Sequence, residues 1–274
     1  MKSFKLVYGF HLAGMAIMLC LAAAPAFTKT LFHDDFSDNR LGPEWLVGHP
    51  QQEAVNAPQW VEDGGVLTQL EEASGDTTYA IVEDNSFPDA IGVMVKMRLE
   101  TWGDNDRARA GVGVWIDPDD NYNGYTWLVH ERLDDTNMEF LNDRRAWANE
   151  EETFLVELNT WYWISMFIDS GTGDISGKIW AVGDDEPTEW LKTLPYASFG
   201  GERQPTKLVG LNGGSGNVGS AANVVSFDDV IIFDSGGPDS LTPVEPGGKL
   251  ATTWSAIKSK VKLQQHHDFR EIKL

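Results

Sequence analysis

Apolar positions alternate with period two along most of the chain, the pattern of half-buried strands rather than helices. The runs Tyr79–Val82, Gly92–Leu99, Ala110–Ile116, Tyr125–His130, Phe154–Leu158, Tyr162–Ile168, Ser176–Val182 and Val224–Phe233 are rich in β-branched and aromatic residues. Turn-forming clusters such as Asp117-Pro118-Asp119-Asp120 and Ser170-Gly171-Thr172-Gly173 separate them. Many short strands at this spacing predict an all-β sandwich or barrel. Between Leu31 and Asp234 no run has helical spacing for more than two turns.

One stretch is unusually two-faced. In Arg107–Ile116 the residues Ala108, Ala110, Val112, Val114 and Ile116 form an apolar row, while Arg107, Arg109, Gly111, Gly113 and Trp115 form the other. Side chains alternate across a strand, so one row can enter a core while the other lines a surface. A face of Arg, Gly, Gly and Trp suits the floor of a shallow groove for a flat polar ligand, because glycine lets a ligand approach the backbone. The competing reading is that the glycines mark a bulge and Trp115 caps the sheet edge. Trp161–Asp169 repeats the logic with Tyr162, Ile164, Met166 and Ile168 opposite Trp161, Trp163, Ser165 and Phe167, which predicts cover on both faces.

The two ends read differently. Lys2 and Lys5, the apolar run Leu12–Ala23 and Ala24-Pro25-Ala26 form a secretory signal peptide over residues 1–26. No later stretch is long and apolar enough to span a membrane, so the expected location is secreted, periplasmic or extracellular. A β domain is expected over 31–235, a Pro/Gly linker over 236–248, and a short basic helix with a polar tail over 249–274. In that helix Leu250, Trp254, Ile257 and Val261 share one face, and Thr252 or Thr253 is the candidate cap.

Cysteine and charge narrow the chemistry. The single cysteine, Cys20, lies in the leader, so the remaining chain forms no disulfide, thiolate metal site or cysteine nucleophile. Of the 21 Lys and Arg, two lie in the leader and six from Lys249 onward, where Asp268 and Glu271 oppose them. Residues 27–248 therefore carry 13 basic against 40 acidic residues, a net charge of −27. Such a body repels phosphate backbones, which argues against nucleic acid, and attracts divalent cations.

Several motifs in fixed order then carry a resemblance. Phe32-His-Asp-Asp-Phe-Ser-Asp38 with Trp45 is followed by Trp60-Val-Glu-Asp-Gly-Gly-Val-Leu-Thr68 and Ala110-Gly-Val-Gly-Val-Trp-Ile-Asp-Pro118 with Asn121-Tyr122. Asn159-Thr-Trp-Tyr-Trp163, Lys178-Ile-Trp180 and Ser226-Phe-Asp-Asp-Val230 complete the series. In this order the chain resembles jelly-roll domains of the concanavalin A-like lectin/glucanase superfamily, in the laminin G-like and 3-keto-disaccharide hydrolase-like branch. The resemblance implies two curved antiparallel sheets, ligands on the concave face, and first and last strands side by side. The fold hosts lectins, lyases and hydrolases alike.

A glucanase of this fold would carry an E-x-D-x-x-E strand, which places its carboxylates on one face. That spacing is absent. Glu131, Asp134, Asp135 and Glu139 are expected in a turn, Glu150-Glu151-Glu152 in a solvated one, and Asn212–Asn217 in a flexible rim loop. His130 beside Glu131 is a weak acid/base pair, because neighbouring strand residues face opposite ways. His266-His267 in the tail reads as a chance pair. No catalytic residue is therefore assigned.

The expected function is non-catalytic binding of an extracellular glycan or glycoconjugate. The alternatives are a glycoside hydrolase of the 3-keto-disaccharide hydrolase-like type and a structural or protein-interaction module of the envelope. Aromatic faces stack on sugar rings while polar side chains hold the hydroxyls, so Arg109, Trp115, His130, Asn142 and Trp147 form the expected site. Trp102 and Trp127 are further tryptophans placed near solvent, while Trp60, Trp161 and Trp180 are read as core or edge residues. The acidic pairs Asp34-Asp35 and Asp228-Asp229 suggest a structural calcium held by Asp35 and Asp228, with Asp34, Asp38 and Asp229 as alternates. The competing reading makes them ordinary turn and edge aspartates. The oligomeric state is not legible.

Overall fold

The computed structural model of the chain describes residues 29–48, 59–70, 77–84, 86–102, 108–120, 123–130, 133–142, 146–199, 208–215 and 223–238. The expected signal peptide at 1–26, most of the expected linker and the expected basic helix and tail at 249–274 lie outside these described residues. Sixteen strands among the described residues form two antiparallel sheets. The first has the order β14 (Lys192–Pro195), β13 (Asp174–Ala181), β12 (Trp161–Asp169), β6 (Ile91–Thr101), β16 (Val224–Phe233), β4 (Val66–Leu70), β3 (Gln59–Asp63), with β1 (Thr30–Asp34) also on β16. The second runs β10 (Ala146–Trp147), β9 (Asn137–Asn142), β8 (Asn123–His130), β7 (Ala108–Asp117), β15 (Leu208–Ser215), β5 (Thr77–Val82), β2 (Trp45–Gly48), with β11 (Glu152–Thr153) on β9. The helical segments among the described residues are short 3-10 turns, and none is long and apolar enough to cross a membrane.

Alternation explains how the sheets meet. Ile91, Val93, Val95, Met97 and Leu99 of β6 and Tyr162, Ile164, Met166 and Ile168 of β12 face inward. They meet Ala110, Val112 and Val114 of β7, Tyr125, Trp127 and Val129 of β8, and Val209 and Leu211 of β15. Burying apolar area contributes about 25 cal/mol per Å², and a body without disulfides depends on this core. The opposite row of β12 is only half covered. Trp163 and Phe167 pack beside Met94, Trp180, Ile231 and Phe233 on the outer face of the first sheet.

The β7 row breaks at one place. Trp115 has φ +55°, and Val114 pairs with Tyr125 while Asp117 pairs with Asn123, so β7 holds one extra residue. This bulge rotates Trp115 into the core, where it is 1% exposed and packs edge-on against Tyr125 and Tyr196. Ile116, expected inside, turns out to the opposite face beside Tyr79, Ile81 and Leu208. A left-handed conformation in a non-glycine residue costs on the order of 1–3 kcal/mol, which burial of the indole offsets.

Two further expectations change, and one open reading is decided. Phe154–Leu158 is not a strand, although Phe154 packs on the core. Asn212–Ser215 is the end of the interior strand β15 rather than a flexible loop. Trp127, for which core packing and solvent were both open, is fully buried and packs at a tilt on Phe140 with ring centres 4.4 Å apart.

Trp127 also shows how closely the sheets approach. A Cβ on Gly177 of the facing sheet would lie 2.5 Å from its indole. Gly177→Ala is therefore expected to cost about 1–3 kcal/mol by overpacking, measured as a lower urea midpoint at unchanged slope. An unaltered midpoint would mean the sheets can separate there freely.

Candidate functional site

The strand registers decide which polar side chains meet. Tyr125, Trp127 and Val129 point into the core, so His130 at the end of β8 points out. On β9, Met138 and Phe140 point in, so Asn137, Glu139 and Leu141 point out. Arg109 of β7 is the cross-strand partner of His130, and Trp147 of β10 is that of Leu141. All four functional candidates, Arg109, His130, Glu139 and Trp147, thus share the outer face of the second sheet at one edge.

Their contacts are specific. The Trp147 indole stacks on His130 with ring centres 4.7 Å apart and an interplanar angle of 30°. The Arg109 guanidinium lies 5.6 Å from the same ring, within reach of a cation–π attraction. His130 Nε2 lies 3.4 Å from Glu139 Oε2, and these side chains are 5% and 2% exposed. Glu139 Oε1 accepts the Asn149 backbone N–H, and Asn149 is held at φ +56°. Its Nδ2 donates to the Trp147 carbonyl at 3.0 Å. That turn brings exposed Glu151 against Asn137, whose Nδ2 donates to Glu151 Oε2 at 3.2 Å.

Two expected members are elsewhere. Trp115 lies in the core because of its bulge, so it shares no face with Arg109. Asn142 pairs with inward-facing Tyr125 and is fully buried, with its side-chain amide making no hydrogen bond. Its even position on β9 sets it opposite to Glu139.

The open groove at the β7 glycines is not present. A Cβ on Gly113 would meet Thr126 Cγ2 at 2.8 Å and Ile116 Cδ1 at 3.0 Å, so neighbours fill that space. Sequence reading missed Glu139, assigned to a turn, and Glu151, assigned to a solvated charge run. Period-two spacing of Asn137, Glu139 and Leu141 was the available signal for the first. Asn212, fully buried on the outer face between Gly111 and Tyr79 with an unpaired amide, was also missed.

The terminal strands do lie side by side, with Asp34 opposite Val230. Their aspartates, however, already have partners. Lys96 Nζ lies 3.3 Å from Asp228 Oδ2 and closer still to Asp229, whose Oδ1 is 3.3 Å from His33 Nε2. Asp34 accepts the Phe36 N–H at 2.9 Å and the Trp45 indole N–H at 2.8 Å, and Asp35 accepts the Ser37 N–H at 3.1 Å. The Lys96 ammonium already pairs with Asp228 and Asp229, so a calcium ion held by Asp35 and Asp228 would have to share Asp228 with it.

The same contacts set the local titration. The hydrogen bond from His33, aided by Lys96, holds Asp229 below the usual carboxylate range. Burial and the Asp229 charge push Asp228 up. The hydrogen bond to Asp229 raises His33, outweighing partial burial.

The two sheets, with the terminal strands adjacent in the first, define the fold class: a two-sheet antiparallel jelly-roll β-sandwich. Solved structures that share it include the catalytic domain of a Thermotoga petrophila endo-1,3-beta-glucanase (laminarinase), at TM-score 0.51 and 7% identity over 76% of this chain and 98% of that one. Lectin I from Ulex europaeus matches at TM-score 0.51 and 10% identity over 75% and 97%. The GH43 BlXynB protein from Bacillus licheniformis matches at TM-score 0.50 and 11% identity, over 74% of this chain and only 39% of its own. No protein-family model matches the sequence, and no curated protein matches it.

Two outcomes follow for the terminal seam. The melting midpoint with and without millimolar calcium tests the expected site at Asp35 and Asp228: a calcium-dependent rise supports it, and an unchanged midpoint rules it out. Because the folded pKa of His33 is raised, its contribution is complete below about pH 6.5 and fades as pH rises through the folded value. Asp229 works in the opposite sense, its contribution fading as pH falls through its lowered value. The stability gap between wild type and His33→Gln should therefore be largest in mildly acidic buffer and shrink toward alkaline pH, read by denaturant titration. A pH-independent gap would contradict the pairing.

Proposed function

We propose that the protein is exported and binds an extracellular glycan or glycoconjugate without cleaving it, at the edge where Trp147 lies over Arg109 and His130. The half-buried indole carries this reading. The imidazole stacks on its ring and the guanidinium lies 5.6 Å from the ring centre, while the half-buried indole keeps part of its surface for a sugar ring. Aromatic faces stack on sugar C–H surfaces, and Arg109 and Glu151 stand beside it to hydrogen-bond hydroxyls. The fold supports the reading, since one structural neighbour is described in complex with the methyl glycoside of α-L-fucose. The strong negative charge of the body favours neutral glycans and disfavours nucleic acid.

One observation favours a second reading, a glycoside hydrolase. Glu139 and Glu151 bring carboxylate oxygens within 4.8 Å of each other, and retaining glycosidases place their two carboxyl groups about 5–5.5 Å apart. The buried Glu139 would serve as acid/base and the exposed Glu151 as nucleophile. The laminarinase neighbour shows that the sandwich can carry such chemistry.

A glycan array and a reducing-sugar assay on the same purified protein separate these readings. Binding without sugar release supports recognition; release abolished by Glu139→Gln supports hydrolysis; neither supports a structural module. Trp147→Ala is expected to weaken glycan binding by about 1–3 kcal/mol, as loss of an aromatic anchor does, while the melting midpoint changes little. Undiminished binding by Trp147→Ala would move the site elsewhere.

A further inference from the structure

We propose that His130, Glu139 and Glu151 bind one divalent transition-metal ion, with zinc as the best-suited member of the class. The three side chains come from β8, β9 and the residue ahead of β11, and each offers a ligand atom within 4.8 Å of the others. The sheet registers bring them together. Leu128 pairs with Glu139 and His130 with Asn137, so His130 and Glu139 are diagonal neighbours on one face. Glu152 pairs with Met138, which delivers Glu151 to the same corner.

The separations suit an ion. His130 Nε2 and Glu139 Oε2 are 3.4 Å apart. That exceeds the roughly 2.7–3.2 Å of an N–H···O hydrogen bond. It equals the edge of a tetrahedron with metal–ligand bonds of about 2.1 Å, which is about 3.4 Å. A bridging ion would accept both atoms at once.

The surroundings support the ligands as well. The Asn149 N–H holds Oε1 of Glu139, and Asn137 Nδ2 holds Oε2 of Glu151 at 3.2 Å. Each carboxylate thus keeps its other oxygen for a cation while the first is oriented, as outer partners of metal ligands do. His130 and Glu139 are nearly buried, whereas Glu151 is exposed, so the corner has a closed floor and an open mouth. Burying a carboxylate is costly unless its charge is met. The Arg109 guanidinium in the same corner lies 5.6 Å from the Trp147 ring, and two carboxylates outweigh one cation. One imidazole nitrogen with two carboxylate oxygens suits zinc or manganese, while calcium and magnesium prefer oxygen alone. The proposal stands whether or not the neighbouring indole binds a glycan.

The test uses full-length protein freed of metal by chelator, titrated calorimetrically with zinc chloride, manganese chloride and calcium chloride in turn. Cobalt chloride serves as a visible-absorption probe of the imidazole–carboxylate set. One zinc per chain is expected, with a raised melting midpoint, no effect of calcium, and a cobalt band in the wild type. Glu151→Gln removes an exposed ligand without touching the core, and should weaken zinc at least about tenfold while leaving the chelator-treated midpoint unchanged. Glu139→Gln should weaken it further. A His266→Ala, His267→Ala double variant should bind as wild type does. Absence of zinc binding, binding unaltered in both glutamine variants, or binding lost with the tail histidines would each overturn the proposal.

Discussion

The closeness of the two inner rows is the constraint on which the rest of the molecule depends. With no cysteine after Cys20, the sheets are joined by packing alone. Trp127 presses on Gly177 at a distance that leaves no room for a methyl group. Every strand crossing the sandwich must then keep its apolar side chains on one parity, because a slip of one residue would reverse its faces. Interior packing tolerates few voids and little overlap, so a departure from that parity has to be compensated locally. The Trp115 bulge is such a departure. It trades a costly left-handed residue for a buried indole and sends Ile116 to the opposite face.

The seam between the chain's ends obeys a different rule. β16 bulges at Asp228–Asp229, just where its neighbour changes from β4 to β1. Asp229 adopts φ +50° there. Two adjacent carboxylates in a protein this acidic repel each other, and burial together with the Asp229 charge pushes Asp228 up. Lys96 and His33 supply the opposing charge. The first sheet is thus closed by ion pairs at the position where the sequence suggested a metal.

At the far edge of the second sheet the polar residues are placed by the same parity. Arg109, His130, Glu139 and Trp147 belong to four strands, and each faces outward because its neighbours in sequence face inward. A rigid sheet edge of this kind holds side chains more firmly than a loop would. The turn through Asn149 adds Glu151 from the following segment. An indole plate, two carboxylates, an imidazole and a guanidinium on one small surface are a versatile set, and the fold has hosted both binding and hydrolysis elsewhere.

Strand periodicity predicted an all-β sandwich or barrel and the inner row of β12, since alternation is a local property that any strand must express, while the adjacency of the terminal strands came from the family resemblance. Arg109, His130 and Trp147 were legible for the same reason. A bulge was one of two readings of this stretch, but its position was not legible, because the extra residue in β7 is defined only against its partners on β8 and β15. The bulge moves Trp115 from the expected surface to the core. Asn142 was misplaced by one step of parity at a strand end that has no local marker. Glu139 and Glu151 were hidden among forty-two acidic residues, most of them ordinary surface charge. Only the register between the strands β8, β9 and β11 brought two of those carboxylates to one histidine, because proximity across a sheet is set by register and not by spacing along the chain.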